Sequence, residues 1–149
     1  MTETARLLLI AAVLSASALG VFAWRLLRSD PAAPERLIGE LRLAQACAIL
    51  LAVTGGAWLG LGAGHEAELL SSLDVTIAIV YAILAVVALQ LEPRQALLLL
   101  AAAFVAHALI DIAHRPGWLS QAIAPRWFIA GCAAYDVFVG AVCFWARRR

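Results

Sequence analysis

Apolar residues fill this chain in five blocks, separated by short polar stretches. Each block is close to the ~20 residues a helix needs to cross the hydrocarbon core of a bilayer. The blocks run over 6–27, 41–62, 72–91, 95–113 and 126–146. Between the first two lies a polar stretch with Pro31 and Pro34, whose rings are expected to end any helix there. A glycine-rich acidic stretch with Gly62, Gly64, His65, Glu66 and Glu68 follows the second block. Glu92-Pro93-Arg94 reads as a tight turn between the third and fourth, and 114–125 as the loop into the fifth. Trp24, Trp58, Trp118, Trp127 and Trp145 all sit near block ends, where the interface of a bilayer favours them. The pattern predicts an all-α, polytopic integral membrane helical bundle: one domain with five transmembrane helices.

The first block admits a second reading. Leu7 to Leu14 followed by Ser15-Ala-Ser-Ala18 has the form of a secretory signal with a small-residue cleavage site, which would leave four spans. The apolar run continues past that site to Trp24, however. Cleavage would also place Arg25, Arg28, Arg36 and Arg42 outside, so a retained first helix is expected. With the N-terminus outside, the inner side holds eight arginines (Arg25, Arg28, Arg36, Arg42, Arg94, Arg147, Arg148 and Arg149), against three outside (Arg6, Arg115 and Arg126). The excess of basic residues on cytoplasmic loops then predicts a multi-pass protein of the inner (plasma) membrane, N-terminus out and C-terminus cytoplasmic.

Composition narrows the class further. Hydrophobic residues make up 64% of the chain and charged residues 14%, and mean hydropathy is +0.93; a soluble domain carries about 25% charged residues. All 11 basic residues are arginine, and lysine and asparagine are absent. Codons for the missing residues are A-rich, which points to a GC-rich, bacterial genome. A net charge of +1 argues against a nucleic-acid partner. Cys47, Cys132 and Cys143 show no metal-knuckle spacing. Cys132 and Cys143 stand about 16 Å apart along one helix and cannot bridge each other. The three cysteines read as small packing hydrophobes.

Chemistry concentrates in His107-Ala-Leu-Ile-Asp111-Ile-Ala-His114, which places three ionisable side chains at i, i+4 and i+7 on one helix face. Such groups are costly in hydrocarbon and face a protein interior, a partner or a water-filled cavity. On the fifth helix, Cys132, Asp136, Val139 and Cys143 share a face, with Tyr135 beside Asp136 near mid-span. Antiparallel packing of the last two helices would bring His107 and Asp136 to within about 6 Å in depth. His65, Glu66, Glu68 and Asp74 add polar groups on the same outer side, and Tyr81 lies deeper.

Two functional readings follow. In the first, a divalent metal ion is held by two of His107, Asp111 and His114, because His and carboxylate suit zinc, copper or iron. His107 and His114 are about 10.5 Å apart along the helix, so other ligands would come from Asp136, Asp74 or His65. In the second, His107, Asp111, Asp136 and Tyr135, with His114, form an acid/base proton relay acting on a lipid-like or small substrate, or driving proton-coupled transport. Against both stands interhelical glue, at about 0.6 kcal/mol per buried polar contact.

On the second helix, Gly56, Gly60 and Gly64 form a double G-x-x-x-G run that lets backbones approach, within the chain, in a homo-oligomer or in a larger membrane complex. A non-enzymatic subunit or scaffold using this glycine face is the alternative function. Glu40 and Arg42 read as a solvated charge pair at the inner boundary. Glu40-Leu-Arg42, followed by Gly55-Gly56 and Gly60-Leu-Gly62, resembles the E-x-R and glycine pattern of small DoxX-like membrane proteins. That resemblance covers one helix of five and does not extend to the His/Asp face, so no family is assigned from it. Phosphate-binding loops, nucleophile elbows, haem-attachment and dinucleotide signatures are absent from the sequence.

Overall fold

The computed structural model describes residues 3–64, 72–113 and 126–147. These residues form five helices and no strand: α1 (Glu3–Arg28), α2 (Pro34–Gly64), α3 (Ser72–Gln90), α4 (Pro93–Ala113) and α5 (Arg126–Arg147). Four of them contain stretches long and apolar enough to cross a membrane: Arg6–Arg28, Pro34–Ala57, Pro93–Ala113 and Trp127–Arg147. The fifth, α3, carries the shorter apolar stretch Val75–Gln90.

The helix starts correct the expected boundaries. Pro34 does not end a helix; it opens α2, seven residues before the predicted start. Proline suits the first helical position, where its missing N–H has no partner to lose and its fixed φ is already helical. Pro93 opens α4 in the same way, and the Ala96 N–H donates to the Glu92 carbonyl at 2.8 Å. At the other end, α1 closes with Arg25 and Arg28 in its last turn, opposite the negative pole of the helix dipole. The Asp30 carboxylate then accepts from the Ala32 N–H (2.9 Å) and turns the chain into α2.

Contacts between helices fix the topology. Gly140 of α5 lies against Phe104 of α4 and Asp136 against His107, so α4 and α5 run antiparallel, while Gly39 near the start of α2 lies against Leu26 near the end of α1. Ser15 bonds Tyr135 and Gly20 meets Phe138, so α1 and α5 run parallel. The central helix is α4, which packs on α5, α2 and α3, whereas α1 leans on α5 and α2. Leu43, Leu51, Leu97, Leu100, Phe104 and Val139 fill the interior. Large apolar side chains also cover the outer surface: Leu7, Leu14, Ile49, Val53, Ile83, Leu109 and Val137 are all exposed. An exterior of this kind matches hydrocarbon rather than water.

Among the glycines of α2, the close approach falls at Gly55 rather than Gly56. A Cβ on Gly55 would sit 2.7 Å from the Tyr81 Cβ, whereas one on Gly56 would meet nothing within 4 Å. Gly60 and Gly64 lie in the last two turns of α2, and their surroundings fall outside the described side chains.

One end of the bundle is tied by a buried arginine. The Arg36 Nε donates to Glu40 Oε1 (2.9 Å), Nη1 to the Leu26 carbonyl (2.6 Å) and Nη2 to the Ala146 carbonyl (3.1 Å). One guanidinium from the first turn of α2 thus bonds carbonyls in the last turns of both α1 and α5, sharing the Leu26 carbonyl with the Ser29 N–H and hydroxyl. Arg94 of α4 reaches the second Glu40 oxygen (3.4 Å) from an exposed position. Glu40 is therefore not half of a solvated pair with Arg42. It is buried between Arg36 and Arg94, while Arg42 is exposed. The early start of α2 explains the difference, because it places Arg36 and Glu40 one turn apart and facing inward.

Arg36→Ala is expected to destabilise the detergent-solubilised protein by about 3–5 kcal/mol, since it leaves a buried carboxylate short of its main partner. Arg94→Ala should cost no more than about 1 kcal/mol, the range of an exposed pair. Thermal unfolding followed by circular dichroism checks both, and equal effects would contradict this assignment. In the same assay Gly55→Ala should destabilise by about 1–3 kcal/mol through overpacking. Gly56→Ala should be neutral or stabilise by up to about 1 kcal/mol through helix propensity.

Candidate functional site: a buried His/Asp group

The close contact at Gly140 sets the register that builds the site. An added Cβ there would stand 3.3 Å from the Ala101 carbonyl oxygen and 3.5 Å from the Phe104 Cβ. With the backbones this near, His107, one turn beyond Phe104 on α4, comes level with Asp136, one turn before Gly140 on α5. The His107 Nδ1 lies 2.6 Å from Asp136 Oδ2, a short hydrogen bond. The same nitrogen is 3.7 Å from Asp111 Oδ2, one helical turn along α4. All three residues are buried, with side-chain exposures of 2% for His107 and 0% for each aspartate.

A third helix positions the imidazole. The Tyr81 ring of α3 stands edge-on to His107, with centroids 4.7 Å apart and planes at 83°. Tyr81 is itself held by the close approach of Gly55, so the packing of α2 on α3 reaches the site through an aromatic contact. Asp136 is ten residues, about 15 Å, inside α5, and His107 six residues, about 9 Å, inside the C-terminal end of α4. The group therefore occupies the half of the bundle opposite Arg36.

His107 and Asp136, expected within reach of a hydrogen-bonded chain, are in direct contact, and Asp111 joins them. Asp136 on the neighbouring helix supplies the third donor that the i, i+7 spacing could not place near one ion. His114 lies outside the described residues, as do His65, Glu66 and Glu68. Tyr135 points another way: its hydroxyl shares a 2.9 Å hydrogen bond with Ser15 of α1. Tyr81 is the neighbour that sequence periodicity did not bring to the site, since its contact depends on the packing of α3.

The donor set has the composition of a metal centre. One ligand atom from each of His107, Asp111 and Asp136 lies within 4.8 Å of the others. Donors about 2.0–2.2 Å from a shared ion stand roughly 3–3.5 Å apart, a value bracketed by the separations of 2.6 and 3.7 Å. Two buried atoms, His107 Nε2 and Asp136 Oδ1, have no hydrogen-bond partner among the described residues. Buried polar atoms are seldom left so in a finished interior. Comparison with known proteins adds no assignment: no family model, curated protein or solved structure matches the chain.

A group retained for stability and one retained for chemistry respond differently to removal. His107→Ala alone should destabilise by about 3–5 kcal/mol, because it strands Asp136 in the interior. The double variant His107→Leu/Asp136→Leu should recover most of that loss, since apolar replacement of a buried pair is often neutral. Thermal unfolding of the two variants beside wild type makes the test. A double variant as unstable as the single one would mark the group as glue.

Proposed function

We propose that this chain is a multi-pass membrane protein whose activity resides at His107, Asp111 and Asp136, and that the site binds a divalent transition metal for chemistry on a lipid-like or small substrate. The observation that carries the reading is the convergence of three metal-competent donors from two helices in an apolar interior. An imidazole and two carboxylates supply the negative charge that a divalent cation needs on leaving water for a medium of low dielectric. Held there, such an ion supplies Lewis-acid polarisation or an activated water. His107 and the two aspartates would bind it, and Tyr81 would fix the imidazole plane.

A second reading has its own support. The 2.6 Å contact between His107 and Asp136 also suits an acid/base pair, with the aspartate holding the imidazole tautomer and Nε2 facing the substrate. For orientation we propose the arginine-rich end as cytoplasmic. Arg25, Arg28, Arg36, Arg42, Arg94 and Arg147 cluster there, while Arg6 lies at the opposite end. This puts the His/Asp group in the outer half of the membrane.

Elemental analysis of the detergent-purified protein tests the metal reading. Near-stoichiometric zinc, iron or another transition metal is expected in wild type, lost in His107→Ala, Asp111→Ala and Asp136→Ala, and retained in Tyr135→Phe. A folded wild-type protein that takes up no metal on reconstitution would overturn it in favour of the acid/base pair.

A further inference from the structure

At the end of the bundle opposite the His/Asp group, α1 and α5 finish side by side. Ser15 bonds Tyr135, and eleven residues further along each helix Arg36 bonds the carbonyls of Leu26 and Ala146 together. The parallel register is therefore constant over about three turns. It sets Arg147 of α5 level with Leu27, between Arg25 and Arg28 of α1. Arg25 and Arg28 are exposed and Arg147 is half-buried. Arg36 and Arg94 share Glu40, but none of these three pairs with a carboxylate among the described residues. Asp30, Glu35 and Glu92 are exposed at the same end without pairing to them. Aromatic side chains fix the depth of the charges. The Arg28 guanidinium lies over the Trp24 ring, 4.0 Å from its centroid, drawn back along α1 as helical side chains are. Trp24 and Trp145 are both exposed, and the register puts Trp145 level with Arg25. Exposed tryptophans mark the depth at which hydrocarbon gives way to headgroups.

We infer that this end of α1 and α5 binds an anionic phospholipid, its phosphodiester held by Arg25 and Arg28 with Arg147 beside it. The inference stands apart from the metal reading. Planar guanidinium groups meet phosphate oxygens in two-point hydrogen bonds and stack on aromatic faces at the same time, as Arg28 does on Trp24. Val13 and Val21 share the exposed face of Trp24 and continue it towards the middle of α1, so an acyl chain below the headgroup meets an apolar surface. Anionic lipids are concentrated in the cytoplasmic leaflet, the side proposed above for this end. The rival use of the three arginines is to complement the negative poles of two parallel helices, which needs their charge but no lipid.

The probe is dioleoylphosphatidylglycerol, titrated into the delipidated full-length protein in detergent beside dioleoylphosphatidylcholine, with bound lipid counted by native mass spectrometry. Wild type is expected to retain phosphatidylglycerol in preference to phosphatidylcholine. Arg25→Gln and Arg28→Gln should each weaken that retention by about 5-fold, the contribution of one basic side chain at an anionic lipid surface, and the double variant by about 20-fold or more. Arg6→Gln and Arg42→Gln remove the same charge at the far end of α1 and from α2, and should leave it unchanged. Equal retention of the two lipids by wild type would overturn the inference and leave the arginines to the helix dipoles. Losses in Arg6→Gln as large as in Arg28→Gln would overturn the location, because net charge alone would then set the affinity. Displacement of the lipid by an equal concentration of inorganic phosphate would overturn the lipid in favour of a free anion.

Discussion

The approach of α4 and α5 across Gly140 is the contact on which the site depends. An added Cβ there would press on the Ala101 carbonyl by a few tenths of an ångström and meet Val105 and Phe104 at ordinary contact, so a side chain larger than alanine would push α4 outward. The His107–Asp136 separation would then grow from hydrogen-bonding distance to a gap. In an apolar environment that gap would be costly, because a carboxylate without a partner has no water to turn to. Backbone proximity and charge pairing therefore support each other. The glycine permits the pair, and the pair penalises any slip of register.

Two polar clusters, at opposite ends of the bundle, show how differently buried charge is used. At the Arg36 end each of the three guanidinium nitrogens meets an acceptor, two of them the terminal carbonyls of α1 and α5. That cluster joins helix ends and is closed on itself. At the other end His107 Nε2 and Asp136 Oδ1 are buried without a hydrogen-bond partner among the described residues. A closed network stabilises, while an open one is held in place by the surrounding packing. The Tyr81 contact belongs to that packing, and through Gly55 it connects α2 to a site built on α4 and α5.

Much of this arrangement was legible along the chain. Five apolar blocks gave five helices, and the His107/Asp111 face and the mid-span Asp136 were marked by the cost of charge in hydrocarbon. The prolines misled: Pro34 was read as a helix breaker, although at the first helical position it is a starter. The shift of the α2 start then hid the inward-facing Arg36–Glu40 pair. Tyr135, adjacent to Asp136 in sequence, turned to Ser15, because neighbouring helical residues project about 100° apart. Tyr81 joined the site from a helix whose rotation no local pattern specifies.

The sequence by itself determined the helices, their apolar exterior and the residues too costly to leave on that apolar surface, because length, hydropathy and charge act locally on each segment. Only the tertiary structure decided which of those residues meet. A nearly uniform apolar surface leaves each helix free to rotate about its axis, and close contacts at Gly55 and Gly140, rather than the hydrophobic pattern, lock the rotation that assembles His107, Asp111, Asp136 and Tyr81.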